Sequence, residues 1–373
     1  MKRVLVTGAS NIGKAGVATI VYNWGQNLDQ KSVVYDYLAQ HGNLDSYFEN
    51  KIKEKGGILY VPEKQPGGRI KKHFSNMLWI KKILIDGKYE IFHINADSAY
   101  LAAWYILIAK RAKVKHIIVH SHSTMIDDNR ELTRGIKKVL HVLLRPYVIK
   151  NGEKKLACSK EAARWMFRTE EKSTIIPNGI DIERFVRNDK VRETIRKQEN
   201  CDDKWIMGTV GRLSYQKNVL FNVRIFEKIL EKKPNAILWL VGDGPLREEV
   251  EKYIKDRNLS EHCKVWGSRN DVNELLSAMD VFVLPSLFEG LGIVYIEAQA
   301  AGLPTFASDA VPEEAFVTQL IKRIPLSASE QDWAEKILNT CSDTMVDVGN
   351  EIDTKGYSIN ASSKLLQQIY EAI

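Results

Sequence analysis

Short runs of apolar, β-branched residues alternate with longer helix-compatible segments along the whole chain. In the first half, these runs lie at 4–8, 32–38, 57–62, 89–95, 116–122, 155–159 and 174–178. A second series lies at 205–213, 236–244, 264–268, 280–286 and 304–309. Apolar strands that alternate with helices are typical of parallel sheets covered on both faces. The pattern therefore predicts the α/β class, with two parallel sheets.

A polar, charged segment, Asp181 to Lys204, separates the two series of strands. We therefore predict two Rossmann-like domains facing a central cleft. The first covers 1–185 and the second 186–357, and a final helix at 358–373 packs back on the first domain. A length of 373 residues suits two domains of ordinary size.

The amino-acid composition argues against several classes of protein. Hydrophobic residues make up 44% and charged residues 27% of the chain, which argues against disorder. The longest uncharged apolar run, 99–109, has 11 residues, against about 20 needed to cross a bilayer. The N-terminus lacks a signal-peptide pattern, so we expect a cytoplasmic protein. The four cysteines are scattered and form no C-x-x-C pair, so the sequence suggests neither a zinc site nor a disulfide framework. They are Cys158, Cys201, Cys263 and Cys341.

The net charge of +7 is unevenly distributed along the chain. Residues 1–187 contain 32 Lys and Arg against 18 Asp and Glu, whereas residues 188–373 contain 22 against 29. A basic first half suggests an anionic partner, such as lipid headgroups, phosphates or nucleic acid.

The turn after the first strand, GASNIGKAG, is similar to two nucleotide-binding motifs and matches neither. A P-loop needs Ser or Thr as a metal ligand where this chain has Ala15. The turn of short-chain dehydrogenases needs glycines where this chain has Ile12 and Lys14. We interpret the segment as a glycine-rich strand-to-helix turn in which Gly13 and Gly16 line the cleft between the domains.

Two segments of the second half lie where parallel sheets bind ligands, just beyond the carboxyl ends of strands. GRLSYQKN places Arg212 and Lys217 there, and VGDGPLREEVE places Asp243 in a glycine-rich turn. Neither segment is specific by itself, since solvated charges are common at such positions.

The segment LPSLFEGLGIVYIEAQAAGLP is more specific. Glu289 precedes a predicted helix that opens with Gly290, Leu291 and Gly292, and Glu297 lies about five residues into it, about 7–8 Å along the axis. Unpaired N–H groups at such a helix start suit a phosphate. A carboxylate among apolar residues is costly without partners. Since carboxylates repel phosphate, we interpret both glutamates as acceptors for sugar hydroxyls.

Together these segments resemble the retaining glycosyltransferases of family 4, which have the GT-B fold. The resemblance rests on Glu289-x7-Glu297, GRLSYQKN, VGDGPLREEVE and PNGIDIERF. In the first half it rests on AGVATIVYN, HSHST and ACSKEAARWMF. It covers almost the whole chain and points to the EpsF-like enzymes of bacterial exopolysaccharide and capsule synthesis.

The resemblance implies roles for individual residues. Arg212 and Lys217 would clamp the donor diphosphate, and fixed cations there stabilise the charge that develops on the leaving group. Glu289 would accept sugar hydroxyls beside the reacting carbon, and Glu297 would accept ribose hydroxyls. The remaining donor-binding residues implied are Gly16, Asp243, Gly267, Arg269, Gly290, Leu291 and Gly292, with 267–269 bordering the base.

The family also places a histidine against the donor sugar. His120 and His122 alternate near the end of a strand, from which we expect only one to face the cleft. We predict His122 as the catalytic-site residue and His120 as a core histidine. His93, at the end of the previous strand, has a similar ambiguity.

We expect no metal and no other cofactor, because the chain contains no Asp-x-Asp motif of the kind that holds a metal in GT-A enzymes. The resemblance implies retention of anomeric configuration by a front-face mechanism. In that mechanism the leaving phosphate takes the acceptor proton, which agrees with the lack of an evident acid/base pair.

The sequence gives fewer indications of where the acceptor binds. Residues 67–85 combine five Lys and Arg with apolar residues, which predicts a basic amphipathic helix. This pattern fits peripheral contact with an anionic membrane, and equally an ordinary outer helix with a solvated face. The preceding loop, 62–68, is predicted to act as an acceptor-side flap.

The predicted function is transfer of a sugar from a nucleotide-diphosphate sugar, with UDP as the expected nucleotide, to a lipid-linked saccharide in exopolysaccharide, capsule or O-antigen synthesis. One alternative is a sugar-nucleotide 2-epimerase of the same fold, although such enzymes lack the Glu-x7-Glu segment. Another is a nucleic-acid-binding protein that uses the basic half. That alternative leaves Glu297 unexplained, and we therefore expect no nucleic-acid partner.

Overall fold

The computed structural model describes residues 1–13, 16–40, 46–62, 69–128, 130–340 and 348–373. These residues form two compact units. The first comprises Met1–Ile126, Leu132–Gly179 and Ile359–Ile373, and the second Asp127–Glu131 and Ile180–Ser358. Most of the predicted flap, 63–68, lies outside the described residues, as do Lys14, Ala15 and Cys341.

The described strands are β1 Lys2–Val6, β2 Val33–Leu38, β3 Leu59–Tyr60, β4 Ile91–Ala96, β5 His116–Ser121, β6 Lys154–Ala157, β7 Thr174–Ile175, β8 Trp205–Val210, β9 Ala236–Val241, β10 Cys263–Gly267, β11 Val281–Leu284, β12 Thr305–Ser308 and β13 Ile321–Ile324. The described helices are α1 Gly16–Asn27, α2 Ser46–Glu54, α3 Arg69–Asp86, α4 Ala99–Arg111, α5 Glu131–Asn151, α6 Lys160–Phe167, α7 Ile182–Phe185, α8 Asp189–Gln198, α9 Val219–Lys232, α10 Arg247–Asp256, α11 Val272–Ala278, α12 Ile293–Ala300, α13 Glu330–Thr340, α14 Gly349–Thr354 and α15 Ile359–Glu371.

The first unit is built on a parallel sheet with the order β3-β2-β1-β4-β5-β6-β7 among its described strands. Every residue of β2 and β4 is buried, as expected for strands with helices on both faces of the sheet. The chain passes from β1 to β2 on one side and returns to β4 on the other. The carboxyl ends of β1 and β4 therefore diverge at a topological switch point, where such sheets bind ligands.

The second unit repeats this plan with the order β10-β9-β8-β11-β12-β13, again with parallel pairing in the described strands. Its switch point lies between β8 and β11. The predicted α/β class with two parallel sheets is confirmed.

One strand was not predicted from the sequence. β13 has the sequence IKRI, and only its two isoleucines are buried. It pairs with β12 at the edge of the sheet, which leaves Lys322 and Arg323 exposed. A run of four residues with two charges lacks the apolar signal of a central strand, so the prediction of five strands in this half was incomplete.

The segment 181–204, which we predicted to join the domains, contains α7 and α8. Arg192 and Arg196 of α8 each place a guanidinium nitrogen 2.5 Å from an Asp280 oxygen. Asp280 also accepts a hydrogen bond from the backbone N–H of Ile206 at 2.7 Å. These contacts attach α8 to the amino ends of β8 and β11.

The C-terminal helix α15 packs on the first unit. Trp24 of α1 donates its indole N–H to the Ser362 hydroxyl at 3.0 Å, and the hydroxyls of Tyr35 and Tyr370 lie 2.5 Å apart. Within the described residues, we find no helix with the length and apolar character required to span a bilayer.

Candidate active site

The switch point of the second sheet brings two predicted residues together. Lys217 ends a short 3-10 turn after β8, and Glu289 lies in the loop after β11. Because β8 and β11 are parallel neighbours, the segments that follow them meet at one edge of the sheet.

Lys217 and Glu289 form a buried ion pair. The Lys217 ammonium donates to Glu289 Oε1 at 2.6 Å, and the two side chains are only 14% and 5% exposed. The Ser286 hydroxyl donates to the same oxygen at 2.7 Å, and the Gln216 amide donates to Oε2 at 2.9 Å. A carboxylate held by three donors from two loops offers a fixed negative charge beside a fixed positive one.

The start of α12 lies against this pair. Gly292 precedes the helix with a φ of +78°, and a Cβ there would lie 2.6 Å from the Tyr295 ring and 3.3 Å from Glu289 Cγ. A side chain is therefore excluded by both conformation and space. Gly290 and Leu291 are buried beside it. The positive end of the α12 dipole thus lies close to Lys217 and favours an anion.

Glu297 is the fifth residue of α12, as predicted, and is partly buried. Burial raises its pKa to about 7, while the charges of Arg184 and Lys217 act in the opposite direction. Arg184 lies in α7, which packs against α12. Near neutral pH this carboxyl therefore exchanges between a neutral and a charged form.

The Gly242-Asp243-Gly244 turn after β9 packs directly on the segment after β8. A Cβ on Gly242 would lie 2.0 Å from the carbonyl oxygen of Gly211, and one on Gly244 would lie 2.4 Å from that of Leu213. The Leu213 N–H donates to the Asp243 carbonyl at 3.1 Å. These glycines therefore permit close backbone packing. The Asp243 carboxylate accepts from the Gly244 N–H at 2.7 Å.

The side chains of two other predicted donor residues, Arg212 and Arg269, are more exposed than that of Lys217. The Arg212 side chain is 66% exposed, in contrast to Lys217. Gly267 has a φ of +70°, and Arg269 donates to Asp271 at 2.8 Å. Arg184 and Arg269 line one surface pocket.

In the first unit, the glycine turn has a structural explanation. Gly13 has a φ of +82°, and a Cβ there would lie 2.8 Å from the Phe48 ring. Gly16 begins α1, and an added Cβ would meet no heavy atom within 4 Å. Contact of Gly16 with a donor remains a prediction.

The expectation that His120 and His122 point apart was wrong. Their ring centroids are 4.2 Å apart, because residues two positions apart on a strand point to the same face. His120 also stacks on Trp24 and on His93, at 5.2 and 5.4 Å between centroids. These three histidines therefore form one aromatic cluster, which we call the histidine stack.

His122 is held by a defined hydrogen-bond chain. The Asn95 amide donates through Nδ2 to the Thr7 carbonyl at 2.9 Å, which leaves Asn95 Oδ1 as an acceptor 2.9 Å from His122 Nε2. His122 therefore carries its proton on Nε2. Burial lowers its pKa to about 3, so the ring is neutral at pH 7.

The other members of the histidine stack connect to the C-terminal helix. His93 Nδ1 lies 2.5 Å from the Tyr370 hydroxyl, and His93 Nε2 lies 3.3 Å from His120 Nδ1. Burial lowers the pKa of His93 to about 3 and that of His120 well below its usual value. Neither is a charged group in the folded protein at neutral pH.

Several residues of these sites were not assigned from the sequence. Ser286 and Gln216 hold Glu289, Arg184 acts on Glu297, and Asn95 sets the His122 tautomer. All three of Arg184, Gln216 and Ser286 lie within segments quoted in the sequence analysis, so a signal was present for each. Which atoms Gln216 and Ser286 contact could not be read from the sequence, because it depends on how two loops meet.

Two family models match the chain. The model described as "Glycosyl transferases group 1" matches residues 191–349, and the model "Glycosyltransferase Family 4" matches residues 15–184.

Individual proteins are also similar. EpsF of Bacillus subtilis (strain 168), which is named as a glycosyltransferase, is 30% identical over 90% of this chain and 87% of its own length. An Escherichia coli UDP-Gal:alpha-D-GlcNAc-diphosphoundecaprenol alpha-1,3-galactosyltransferase is 28% identical over 72% of this chain and 70% of its own. The crystal structure of Anabaena Alr3699/HepE in complex with UDP and glucose superposes with a TM-score of 0.79 at 15% identity, covering 100% of both chains.

Replacing Lys217 by alanine should destabilise the second unit by about 3 kcal/mol, because it leaves Glu289 buried without its cation. Adding Glu289→Gln to that variant should recover much of the loss, since the uncompensated charge is gone. Urea unfolding measures the free energy of unfolding of the single and the double variant. Lys228→Ala, which breaks the exposed pair with Glu231, is the control and should cost less than about 1 kcal/mol. Equal losses for the Lys217 and Lys228 variants would contradict the buried pair.

The histidine stack should make the first unit sensitive to acid. Since the folded-state pKa values are depressed, the unfolded chain binds protons first as the pH falls. Stability is thus complete above about pH 6.5 and decreases toward about pH 3, by about 1.4 kcal/mol per pH unit for each histidine. Thermal melts between pH 7.5 and 4.5 should show this slope. His93→Gln should reduce this slope by about one proton per molecule, which is about 1.4 kcal/mol per pH unit. An unchanged slope in the His93 variant would refute the assignment.

Proposed function

Because this chain belongs to the glycosyltransferases of family 4 and has their GT-B fold, we propose that it moves a sugar from a UDP-sugar to a lipid-linked saccharide with retention of configuration. The chain is a glycosyltransferase enzyme. The donor nucleotide, the stereochemistry and the acceptor are the proposed parts.

The observation on which the proposal depends is the buried pair of Lys217 and Glu289 beside the start of α12. The pair offers a cation for a leaving diphosphate and a carboxylate for sugar hydroxyls, held within one hydrogen-bonded cluster. An ammonium carries three N–H donors, so Lys217 is able to donate to Glu289 and to a phosphate oxygen together.

The reaction proposed is a front-face displacement. The bond between the anomeric carbon and the diphosphate oxygen breaks, and the acceptor oxygen bonds to the same face of that carbon. The acceptor proton passes to the departing phosphate oxygen. Lys217 and the N–H groups at the start of α12 stabilise the charge that develops on the diphosphate.

Glu297 is proposed to accept hydrogen bonds from the donor ribose. Burial removes water from the Glu297 carboxylate and raises its pKa to about 7. A ribose hydroxyl that donates to this carboxylate replaces part of the lost hydration and favours the charged form. Arg184 stabilises the charged form and thus supports this role. Arg212, Asp243, Gly267, Arg269 and Gly16 remain predicted donor contacts, and His122 a predicted contact of the donor sugar.

The clamp is proposed to work without a metal. The sequence has no Asp-x-Asp motif, and the lysine and helix terminus supply positive charge at the position where a metal-dependent enzyme would use an ion. A large effect of a chelator would contradict this part of the proposal alone.

The choice of UDP and of a lipid-linked acceptor is supported by the Escherichia coli relative, whose name specifies UDP-Gal and a diphosphoundecaprenol-linked GlcNAc. We further propose that the acceptor is reached at an anionic membrane surface. Helix α3 supports this, since Phe74, Leu78 and Ile85 are exposed on it and Lys71 and Lys82 lie alongside.

Thermal shift against UDP-, GDP-, ADP- and dTDP-sugars should show stabilisation by a UDP-sugar. Incubation with a diphospholipid-linked saccharide should then yield a lengthened glycan with retained anomeric configuration, read by NMR, and EDTA should change the rate less than twofold. Lys217→Ala should lower kcat by about 100-fold, because a fixed transition-state cation is lost. Lys228→Ala is the matched control. Conversion of UDP-N-acetylglucosamine to its 2-epimer without glycan formation would identify the epimerase instead.

Donor affinity should depend on pH through Glu297. As the pH falls from 8 to 6, the carboxyl becomes protonated in the unliganded protein and loses acceptor capacity, so the Kd of the intact UDP-sugar should rise severalfold. The substituted diphosphate of the sugar does not titrate in this range. Glu297→Gln should bind more weakly at pH 8 and show a flat profile in calorimetry. A pH-dependent Kd that persists in this variant would assign the titration to another group.

A further inference from the structure

Helix α15 reaches the aromatic cluster of the first unit through two hydroxyl groups. The Tyr370 hydroxyl lies 2.5 Å from His93 Nδ1, and the Ser362 hydroxyl accepts the Trp24 indole N–H at 3.0 Å. All four side chains are fully buried. One helix therefore contacts both a member of the histidine stack and the tryptophan that packs on the stack.

Both contacts lead to His120. His93 Nε2 lies 3.3 Å from His120 Nδ1, and the planes of the two rings differ by only 4°. The Trp24 ring lies 5.2 Å from that of His120 between centroids, with the planes 13° apart. The ring of His120 is therefore held by two neighbours, and each of these neighbours is hydrogen-bonded to α15.

The protons along this chain of hydrogen bonds are ordered together. Burial keeps His93 and His120 neutral, so each ring has one N–H and one lone pair. Tyr370 has a single hydroxyl proton, which it donates either to His93 or to the Tyr35 hydroxyl 2.5 Å away. In the first case both histidines carry their proton on Nε2, and in the second both carry it on Nδ1. The two histidines therefore always have the same tautomer, and Tyr370 is part of what selects it.

His120 in turn supports the ring of His122. Their centroids are 4.2 Å apart with the planes 31° apart, and Trp24 also lies 6.0 Å from His122 between centroids. Asn95 holds one edge of the His122 ring through Nε2. The orientation of the ring about that bond depends on its packing against His120 and Trp24. A change at α15 that lets His120 move would therefore reach His122.

Helix α15 also has attachments that do not involve the histidines. Gln367 Oε1 accepts the Asp29 N–H at 2.9 Å, and the Lys2 ammonium donates to the Tyr370 carbonyl at 2.9 Å. The helix is therefore attached to the first unit independently of its two buried hydroxyls, so removing one hydroxyl is a local change.

We propose that the Tyr370 and Ser362 hydroxyls of α15 are positioning groups for His122 in sugar transfer. They act through the other histidines of the stack and through the tryptophan packed on it, and together they fix the plane of the His122 ring. The proposal rests on the proposed function, in which His122 contacts the donor sugar. It gives a helix from the far end of the sequence a part in the site at the end of β5.

A purely structural role of the same hydroxyls is the competing explanation. It predicts that their removal lowers stability and leaves the His122 ring and the turnover of the folded enzyme unchanged. The positioning role predicts a change in both. It also predicts that the effect on turnover disappears when His122 itself is replaced, because the hydroxyls act through that residue.

The first test reads the rings directly, by NMR of the full-length protein with ¹⁵N-labelled histidine. Ring ¹H–¹⁵N correlations distinguish the two tautomers, and His→Gln variants assign the signals. His93 and His120 should show the same tautomer in the wild type. Tyr370→Phe, which removes only the hydroxyl, should shift the ring signals of all three histidines of the stack. Gln367→Ala, the matched control on the same helix, should leave them unchanged. Different tautomers for His93 and His120, or unchanged His122 signals in the Tyr370 variant, would overturn the proposal.

The second test is kinetic. Tyr370→Phe should lower kcat by about tenfold and Ser362→Ala by about threefold, because the group beside the sugar is displaced. The Kd of UDP, which carries no sugar, should change less than twofold, and Gln367→Ala should keep the wild-type kcat. In a His122→Gln background, Tyr370→Phe should lower kcat no further.

The same tenfold loss in the His122→Gln background would show that the Tyr370 hydroxyl acts elsewhere and would overturn the proposal. Circular dichroism melts check that each variant folds. If Tyr370→Phe does not fold, Ser362→Ala provides the same comparison of His122 signals and kcat through the tryptophan.

Failure of the proposed function is read separately, because the NMR test needs no substrate. Shifted His122 signals in the Tyr370 variant, with no sugar transfer by the wild type, would refute the proposed function and leave the coupling of α15 to His122 standing. Sugar transfer by the wild type, with His122 signals and kcat unchanged in both hydroxyl variants, would refute the positioning role alone.

Discussion

The candidate site depends on a buried ion pair at the switch point of the second sheet. Removing Lys217 and Glu289 from water is costly, and the cost is offset only because each has its opposite charge at 2.6 Å and Glu289 has further donors. The loops after β8 and β11 must therefore keep one arrangement. That arrangement places a cation, a carboxylate and a helix terminus together before any ligand arrives.

The predicted site residues of the two units differ in their charge. At the switch point of the second unit, Lys217 and Glu289 form a buried pair, and burial raises the pKa of Glu297 to about 7. In the first unit, burial keeps the histidine stack neutral. A neutral His122 with its proton on Nε2 presents a lone pair on Nδ1. His122 therefore offers an uncharged hydrogen-bond acceptor, while the second unit holds a fixed cation and a fixed carboxylate at Lys217 and Glu289.

The outer layer of the first unit follows a different constraint. Helix α5 is attached to the first unit through His141, Val148 and Asn151, so Leu132, Ile136, Val139 and Leu143 on its other face are not required for the core. The stability of the first unit therefore does not depend on the exposed apolar face of α5. The periodicity of the segment does not reveal its orientation, since the pattern would be the same with this face turned inward.

The sequence alone determined the alternation of strands and helices, the class of both sheets and the placement of Glu289 before a helix that contains Glu297, because these depend on local periodicity and residue type. It did not reveal β13, whose edge position allows two charges, and it led to the wrong orientation for His120 and His122. Only the tertiary structure paired Lys217 with Glu289, added Ser286 and Gln216, and left the apolar face of α5 exposed. Each of these results depends on contacts between segments distant in sequence, which local patterns do not encode.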